Sequence, residues 1–286
     1  MMNIAVLITC HNRREKTLSC LHSLYNCALP DTHKLHIYLV DDQSTDGTSD
    51  AVKNEFPLVN IIQGNGKLFW NRGMHLAWET AAKANDFEFY LWLNDDTFLF
   101  QEALEKVLNA ANSTENRAII VASSSSKRTG ELTYGGLTRS GKKINPCDKL
   151  QETATFNGNC VLIPKFAYQK VGKLDPLFHH TLGDIDYGFR TKSNGIKSYV
   201  APGFLAYCER HETLAKWCLK EITFLERVKS LYSPLGLPPY YHFRYDLRHF
   251  GIVIAFKHFF SIHLRLLVPQ LWEKKLSSHF KSIRLQ

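Results

Sequence analysis

Residues Phe87–Phe100 read FEFYLWLNDDTFLF, an apolar run that ends abruptly in Asn94, Asp95 and Asp96. Phe89-Tyr90-Leu91-Trp92-Leu93 has the pattern of a strand buried on both faces, as at the centre of a parallel sheet. Two adjacent carboxylates at its carboxyl end repel each other and are costly to desolvate. A divalent cation there would relieve both costs, at the edge where open α/β sheets bind their ligands. The plainer reading is an Asp pair that starts a turn and caps a helix near residues 101–111.

Upstream, the chain alternates strand and helix three times. Residues 3–9 form an apolar strand that ends in Thr9-Cys10-His11-Asn12-Arg13-Arg14, after which Leu18, Leu21, Leu24 and Tyr25 recur at helical spacing. Residues 34–40 form a second strand that runs into Asp41-Asp42-Gln43-Ser44-Thr45-Asp46-Gly47-Thr48, with a helix over 51–56. A third strand, 59–62, leads through Gly64-Asn65-Gly66-Lys67 to a helix carrying Met74, Leu76, Ala77, Trp78 and Ala81. The opening stretch is thus the fourth strand of a β-α series, which implies a mostly parallel sheet with right-handed crossovers. Neither G-x-G-x-x-G nor a P-loop is present, so phosphate recognition falls to a metal, Lys67 or Arg72.

Beyond residue 123 the pattern changes to short β segments punctuated by Gly130, Gly135, Gly136 and Gly141, with one strand expected over 154–163. Gly183-Asp184-Ile185-Asp186-Tyr187 opens a short helix, and strands at 198–201 and 204–208 close the sheet. Residues 214–231 read as helical, Ser233–Pro239 as a break, and 244–268 as a helical segment with an apolar stripe of Val253, Phe256, Phe260, Leu264, Leu267 and Leu271 beside basic residues. Its longest charge-free run is far below the ~20 residues a membrane span needs.

The net charge of +8 is unevenly placed: residues 211–286 hold 12 Lys/Arg against 5 Asp/Glu, and residues 1–210 hold 23 against 22. A near-neutral body with a basic tail suits an anionic partner such as a membrane surface or nucleic acid. Seven cysteines without a C-x-x-C pair point to reduced thiols in a cytosolic protein, and Asn3–Cys10 is too short and unflanked to read as a signal peptide.

Carboxylate clusters at Asp41/Asp42, Asp95/Asp96 and Asp184/Asp186 all fall at expected strand ends or helix starts. Together with ITCHNRREKTLSCLHSL, VDDQSTDGT, GNGKLFWNRGMHLA, LWLNDDT and HTLGDIDYGFR, in that order over residues 3–210, they resemble a family 2 glycosyltransferase of the GT-A fold. The resemblance is to bacterial members that build surface polysaccharides such as O-antigen or capsule, of the rhamnosyltransferase-like type. It implies an α/β fold with a mostly parallel central sheet flanked by helices, a catalytic domain over 1–210, and a helical extension over 211–286 that meets a membrane surface or another subunit.

The resemblance also implies roles. Thr9, Asn12 and Arg13 lie where the family's first loop meets the nucleotide, Asp42 and Asp41 where a carboxylate accepts from the base, and Lys67 and Arg72 where the chain closes over base or diphosphate. Asn94-Asp95-Asp96 stands in the place of the D-x-D motif, so Asp96 becomes the direct ligand of Mg²⁺ or Mn²⁺ and Asp95 a ribose or water-mediated contact. Asp184 matches the base of the E-D motif, with Gly183 replacing the Glu. Trp70 is a candidate sugar platform, Asn157, Asn159 and Asp186 candidate sugar contacts, and His211 a candidate further metal ligand; Cys160 and Cys208 read as packing.

The implied activity is inverting, metal-dependent hexosyl or rhamnosyl transfer from a nucleotide-diphosphate donor to a hydroxyl of a glycan or polyprenyl-linked glycolipid. The enzyme is expected in the cytoplasm, peripheral on the inner membrane face, with no nucleic-acid partner and with homo-oligomers open. One alternative, a sugar-1-phosphate nucleotidyltransferase, would carry a Gly-rich loop after the first strand, where His11-Asn12-Arg13-Arg14 has no glycine. The other is an inactive glycosyltransferase-like scaffold, against which Asp96 and Asp184 both stand intact.

Overall fold

Period-two alternation in the first strand sends its side chains into two different cores. In the computed structural model, which describes residues 1–210 and 215–271, β1 (Met2–Cys10) turns Ile4, Val6, Ile8 and Cys10 to one face and Ala5 and Leu7 to the other. β2 (His33–Asp41), β3 (Asn60–Gln63) and β4 (Phe89–Leu93) join it in the parallel order β3-β2-β1-β4, with Leu7 opposite both Tyr38 and Trp92.

β4 is buried along its whole length: Phe89, Leu91 and Leu93 enter the first core, Tyr90 and Trp92 the second. Helices α1 (Arg14–Tyr25) and α2 (Thr48–Glu55) cover the first face through Cys20, Leu21, Leu24 and Val52. Helix α3 (Phe69–Ala84) covers the second through Met74, Ala77, Trp78 and Ala81. Helices on both faces are the reason these strands read as continuous apolar runs.

The second half begins with β5 (Phe98–Leu99), α4 (Ala103–Ser113) and β6 (Ile119–Ser125). Short strands follow: β7 (Leu132–Tyr134), β8 (Gly136–Leu137), β9 (Gln151–Thr153) and β10 (Thr155–Phe156). Then come β11 (Cys160–Pro164), α5 (Lys165–Val171), α6 (Gly183–Ser193) and β12 (Ser198–Tyr207). β11 runs antiparallel between β4 and β6, β12 lies parallel beside β6, and β5 ends the order antiparallel to β12. β4 and β6 therefore point the same way, and the loops after β1, β2, β3, β4, β6 and β12 share one edge. This is the α/β architecture the sequence implies, a mostly parallel sheet flanked by helices.

Three expectations change in detail. The strand expected over 154–163 is two strands, β10 and β11, separated by a turn at Gly158-Asn159. The pieces expected at 198–201 and 204–208 are instead one strand whose register slips between Val200, Phe204 and Ala206, around Pro202, which has no N–H to give, and Gly203, whose φ is 72°. The helix expected over 214–231 is reduced to a 3₁₀ turn at Lys216–Cys218 and α7 (Phe224–Tyr232), which starts where Thr223 and Glu226 form a capping box.

Residues Met1–His179 and Gly183–Arg210 form one compact unit, and the C-terminal remainder with His180–Leu182 another. In the second unit α8 (Pro239–His249) and α9 (Ile252–Leu267) replace the single segment expected over 244–268, because Gly251 adopts φ 86° between them. Trp217, Cys218, Leu231, Ile262 and Leu266 make its core. The stripe Val253, Phe256, Phe260, Leu264 and Leu267 lies exposed, from 48 to 75%. No helix among the described residues is long and apolar enough to cross a membrane.

Candidate active site

The loops on the shared edge are stitched to one another by side chains that sequence reasoning assigns to ligand contact. Asn12, at φ 51°, donates its N–H to Ser44 Oγ (2.9 Å) and accepts from Thr45 N–H at Oδ1 (2.7 Å), and Arg14 N–H donates to Asp46 Oδ2 (3.0 Å). Asp41 is buried and accepts from Ser44 N–H (2.8 Å) and Ser49 Oγ–H. Asp42, also buried, accepts from Gly66 N–H (2.8 Å), Leu68 N–H (2.9 Å) and Phe69 N–H (3.0 Å).

These bonds give the acid pair a structural role. Asp42 caps the start of α3 from another loop, where N–H groups lack intrahelical partners and the helix dipole favours a negative charge. Both Asp41 oxygens and both Asp42 oxygens accept bonds within the protein, which fixes the orientation of each carboxylate and leaves three acceptor lone pairs over. Thr9 is buried at the end of β1.

The same loop cluster carries a pair of acids. Arg13 Nη1 donates to Asp95 Oδ1 at 3.0 Å and Asp96 Oδ2 at 2.8 Å, bridging the two carboxylates. Burial pushes the Asp95 carboxyl up to about 7, against the pull of Arg13 and with the help of Asp96. Asp95 Oδ2 is buried and meets no donor among the described residues. An unpaired carboxylate oxygen beside a second carboxylate is an oxygen donor set suited to a hard divalent cation, so the residues fit the metal that the fold family implies.

Cys208, assigned to packing from sequence, lies here too: its thiol is 3.7 Å from Asp96 Oδ1 and 3.4 Å from Asn159 Nδ2. Burial, then the Asp96 charge, pushes that thiol up to about 12, so it stays protonated. No local signal could have placed it, since 112 residues separate it from Asp96. His211 lies outside the described residues.

Asn94, where the chain departs from the D-x-D pattern, accepts from Trp70 Nε1–H at 2.6 Å. Trp70 stands edge to face with Trp92, and a Cβ on Gly158 would fall 2.6 Å from its ring. Gly158 N–H donates to Asp184 Oδ2 (2.9 Å), and Ile185 N–H donates to Asp184 Oδ1 (2.8 Å). Trp70, Gly158 and Asp184 thus form one surface, joined through Asn94 to the acidic pair. Burial raises the Asp184 carboxyl above the usual aspartate range, opposed by those two N–H donors.

Asp184 and Asp186 part company on α6. Two residues on a helix point about 200° apart, and Asp186 is wholly buried, with Arg190 Nε donating to it at 2.8 Å. Asp186, for which a sugar contact is expected, is held within the protein by this ion pair. Asn159 is buried in the turn before β11, while Asn157 beside it is half-buried. Arg72 Nε donates to the Pro176 carbonyl (2.9 Å), and Lys67 is exposed with no partner for its ammonium among the described residues.

Gly183 explains its own departure from the E-D motif. Asn71 is wholly buried, its Nδ2 fixed by the carbonyls of Asp175 and Phe178 at 2.8 Å each, and a Cβ on Gly183 would fall 1.8 Å from Asn71 Oδ1. Gly183→Ala is expected to destabilise the protein by about 2–3 kcal/mol, as overpacking does. Its urea midpoint should fall accordingly; an unchanged midpoint would mean that Asn71 has room to move.

Among solved structures the chain is similar to the crystal structure of TarS from S. aureus, at 15% identity and a TM-score of 0.55 over 73% of this chain and 37% of that one. It is also similar to the residue 1–349 form of TarS, at 14% identity and a TM-score of 0.52 over 73% of this chain and 60% of that one. At these identities the likeness is one of fold, and the chain spans well under two thirds of TarS. No curated protein matches the chain. The model of the family described as glycosyltransferase like family 2 matches residues 2–221, more than half of the sequence, and the chain belongs to that family.

Proposed function

We propose that the chain is an inverting, metal-dependent glycosyltransferase that moves a hexosyl or rhamnosyl unit from a nucleotide-diphosphate sugar to a hydroxyl of a glycan or polyprenyl-linked glycolipid. The observation that carries this reading is the pairing, on one edge of one sheet, of an acid with raised pKa and a carboxylate pair, joined through Trp70 and Asn94. The first suits proton abstraction and the second suits charge neutralisation. One without the other would be an ordinary loop acid.

In the reaction, an acceptor hydroxyl oxygen attacks the anomeric carbon opposite the leaving group. The bond from that carbon to the acceptor oxygen forms as the bond to the diphosphate oxygen breaks, and the nucleoside diphosphate departs with the electron pair. Asp184 takes the hydroxyl proton, and its raised pKa brings it closer to the range in which a carboxylate is an effective base. Its backbone donors at Gly158 and Ile185 fix the carboxylate's orientation. Trp70, held by Asn94, offers the sugar a flat apolar face.

Asp96 and Asp95 are the residues that would hold Mg²⁺ or Mn²⁺, which supplies positive charge where the leaving diphosphate becomes more negative. Arg13, which now bridges the pair, is placed to turn its guanidinium to a phosphate when the carboxylates are otherwise engaged. Lys67, exposed in the loop before α3, adds a second cation on the same edge.

The exposed apolar stripe on α9 beside Lys257 and Arg265 fits a helix that lies in a membrane interface, and so an acceptor carried on a lipid. Both parts of the reading are tested with a panel of nucleotide sugars, assayed for hydrolysis and for transfer to a polyprenyl-linked acceptor in anionic vesicles. Transfer from one donor, with vesicle binding that salt weakens and truncation after Leu231 removes, is expected. Absence of both hydrolysis and transfer across the panel would refute the enzymatic reading, and unchanged binding after truncation the membrane one.

A further inference from the structure

Away from the sheet edge, two histidines converge on a buried aspartate in the C-terminal unit. His242 and Asp246 are one turn apart on α8, and His258 comes from α9 across the Gly251 bend. His242 Nδ1 is 2.7 Å and His258 Nδ1 2.9 Å from the same oxygen, Asp246 Oδ2. The rings meet edge to face, centroids 5.5 Å apart and planes at 81°, so both nitrogens point inward without stacking. Asp246 is 1% exposed, whereas the side chains of His242 and His258 are 20% and 43% exposed.

The geometry points to a transition-metal site: His242, Asp246 and His258 together hold a cation of the Zn²⁺ class. Two imidazole nitrogens and one carboxylate oxygen, all within 4.8 Å of one another, are the donor set such ions take, and three protein ligands leave a fourth position for water. The exposed flank of His258 gives the ion an entry path. A buried carboxylate requires compensating positive charge or donors, and a divalent cation supplies more than two neutral imidazoles do.

Without metal, the three groups can form a hydrogen-bonded cluster in which each neutral imidazole donates Nδ1–H to Asp246. Metal binding requires each ring to shift its proton to Nε2 and offer the Nδ1 lone pair. No net proton is released if both rings start neutral. With bonds of about 2.0–2.1 Å in tetrahedral geometry, the ligand atoms sit roughly 3.3 Å apart. The present 2.7 and 2.9 Å separations therefore have only to open by about half an ångström. The bound ion would clip α8 to α9.

The chemistry differs from that of the sheet edge, where oxygen donors alone face a hard cation, and this difference permits a clean test. Full-length protein stripped with chelator is titrated with Zn²⁺ by equilibrium dialysis and with Co²⁺ by visible absorption, as wild type and as Asp96→Asn. We expect one Zn²⁺ per chain in both, a tetrahedral Co²⁺ spectrum, and no competition from excess Mg²⁺. His258→Gln and His242→Gln should each weaken Zn²⁺ binding by at least about 100-fold, the upper end of what loss of a mere supporting partner costs.

His258 is the more exposed, so His258→Gln is the variant most certain to keep the fold, checked by its far-UV spectrum. Asp246→Asn tests the carboxylate while keeping its shape. Zn²⁺ affinity unchanged in His258→Gln and Asp246→Asn, or a Co²⁺ spectrum of octahedral type only, would overturn the site and leave a hydrogen-bonded clasp in its place.

Discussion

Replacing Asp184 by Asn is expected to lower kcat for sugar transfer by about 10³-fold, the middle of the range that a positioned general base contributes. The substitution keeps volume and leaves the donor's phosphate contacts untouched, so affinity for the nucleoside diphosphate, read by calorimetry, should be unchanged. One structural cost follows from the geometry. Asp184 accepts from both Gly158 N–H and Ile185 N–H, and an Asn must turn its NH₂ against one of those donors. The lost bond costs about 1 kcal/mol, offset by removing a buried charge.

The pH dependence supplies an independent readout. Burial raises the Asp184 pKa in the folded state, so the native protein holds this proton at pH values where the unfolded chain has released it. Stability therefore falls as pH rises from the ordinary aspartate value through the raised one, and Asp184→Asn lacks that fall. The acidic limb of the wild-type kcat/KM profile should likewise lie above the ordinary aspartate pKa and vanish in the residual activity of the variant. Full activity in Asp184→Asn would remove the base assignment altogether.

The sheet and its edge were legible because burial on both faces leaves a direct trace in sequence. Phe89–Leu93 is apolar at every position because both of its faces are covered, and the three carboxylate clusters fall at strand ends or helix starts. What could not be read was which carboxylates the loops themselves consume. Asp41 closes its own turn through Ser44 and Ser49 nearby, whereas the partners of Asp42 are backbone N–H groups more than 20 residues away, at Gly66 and Leu68. The division between Asp184 and Asp186 was within reach of helical geometry, since i and i+2 cannot share a face.

Partnerships across long sequence separations left no trace. Trp70 with Asn94, Gly183 with Asn71, and Cys208 with Asp96 each join residues that no periodicity connects. They also account for the departures from the family pattern better than motif matching does. Asn94 is an Asn that accepts from an indole N–H, and Gly183 is a Gly because Asn71 occupies the space. In the C-terminal unit, the break at Gly251 could have been taken from the glycine itself, since the apolar stripe begins only at Val253, after it.

Asp96→Asn is the second large effect, and its expected signature is a loss of turnover without a loss of fold. Asp96 and Asp95 both face Arg13 Nη1, at 2.8 and 3.0 Å. Removing the Asp96 charge breaks one of these pairs and also relieves the repulsion that helps raise the Asp95 pKa. With Asp96 half-buried and Arg13 about a third exposed, the two changes largely cancel, and stability should move by no more than about 1 kcal/mol. Turnover has no such compensation. An Asn cannot supply the negative charge that would hold a divalent cation, and a leaving diphosphate would lose its main neutraliser, an expected loss of about 10²–10³-fold in kcat by analogy with removal of one preorganised electrostatic contact. Chelation of the wild type should reproduce the defect, and chelation of Asp96→Asn should add little to it, because both remove the same interaction. Mn²⁺ binding in the presence of nucleotide, followed by electron paramagnetic resonance, checks the cause directly. Transfer that survives both chelator and Asp96→Asn would reassign the charge to Arg13. Arg13→Gln would then be the variant that fails.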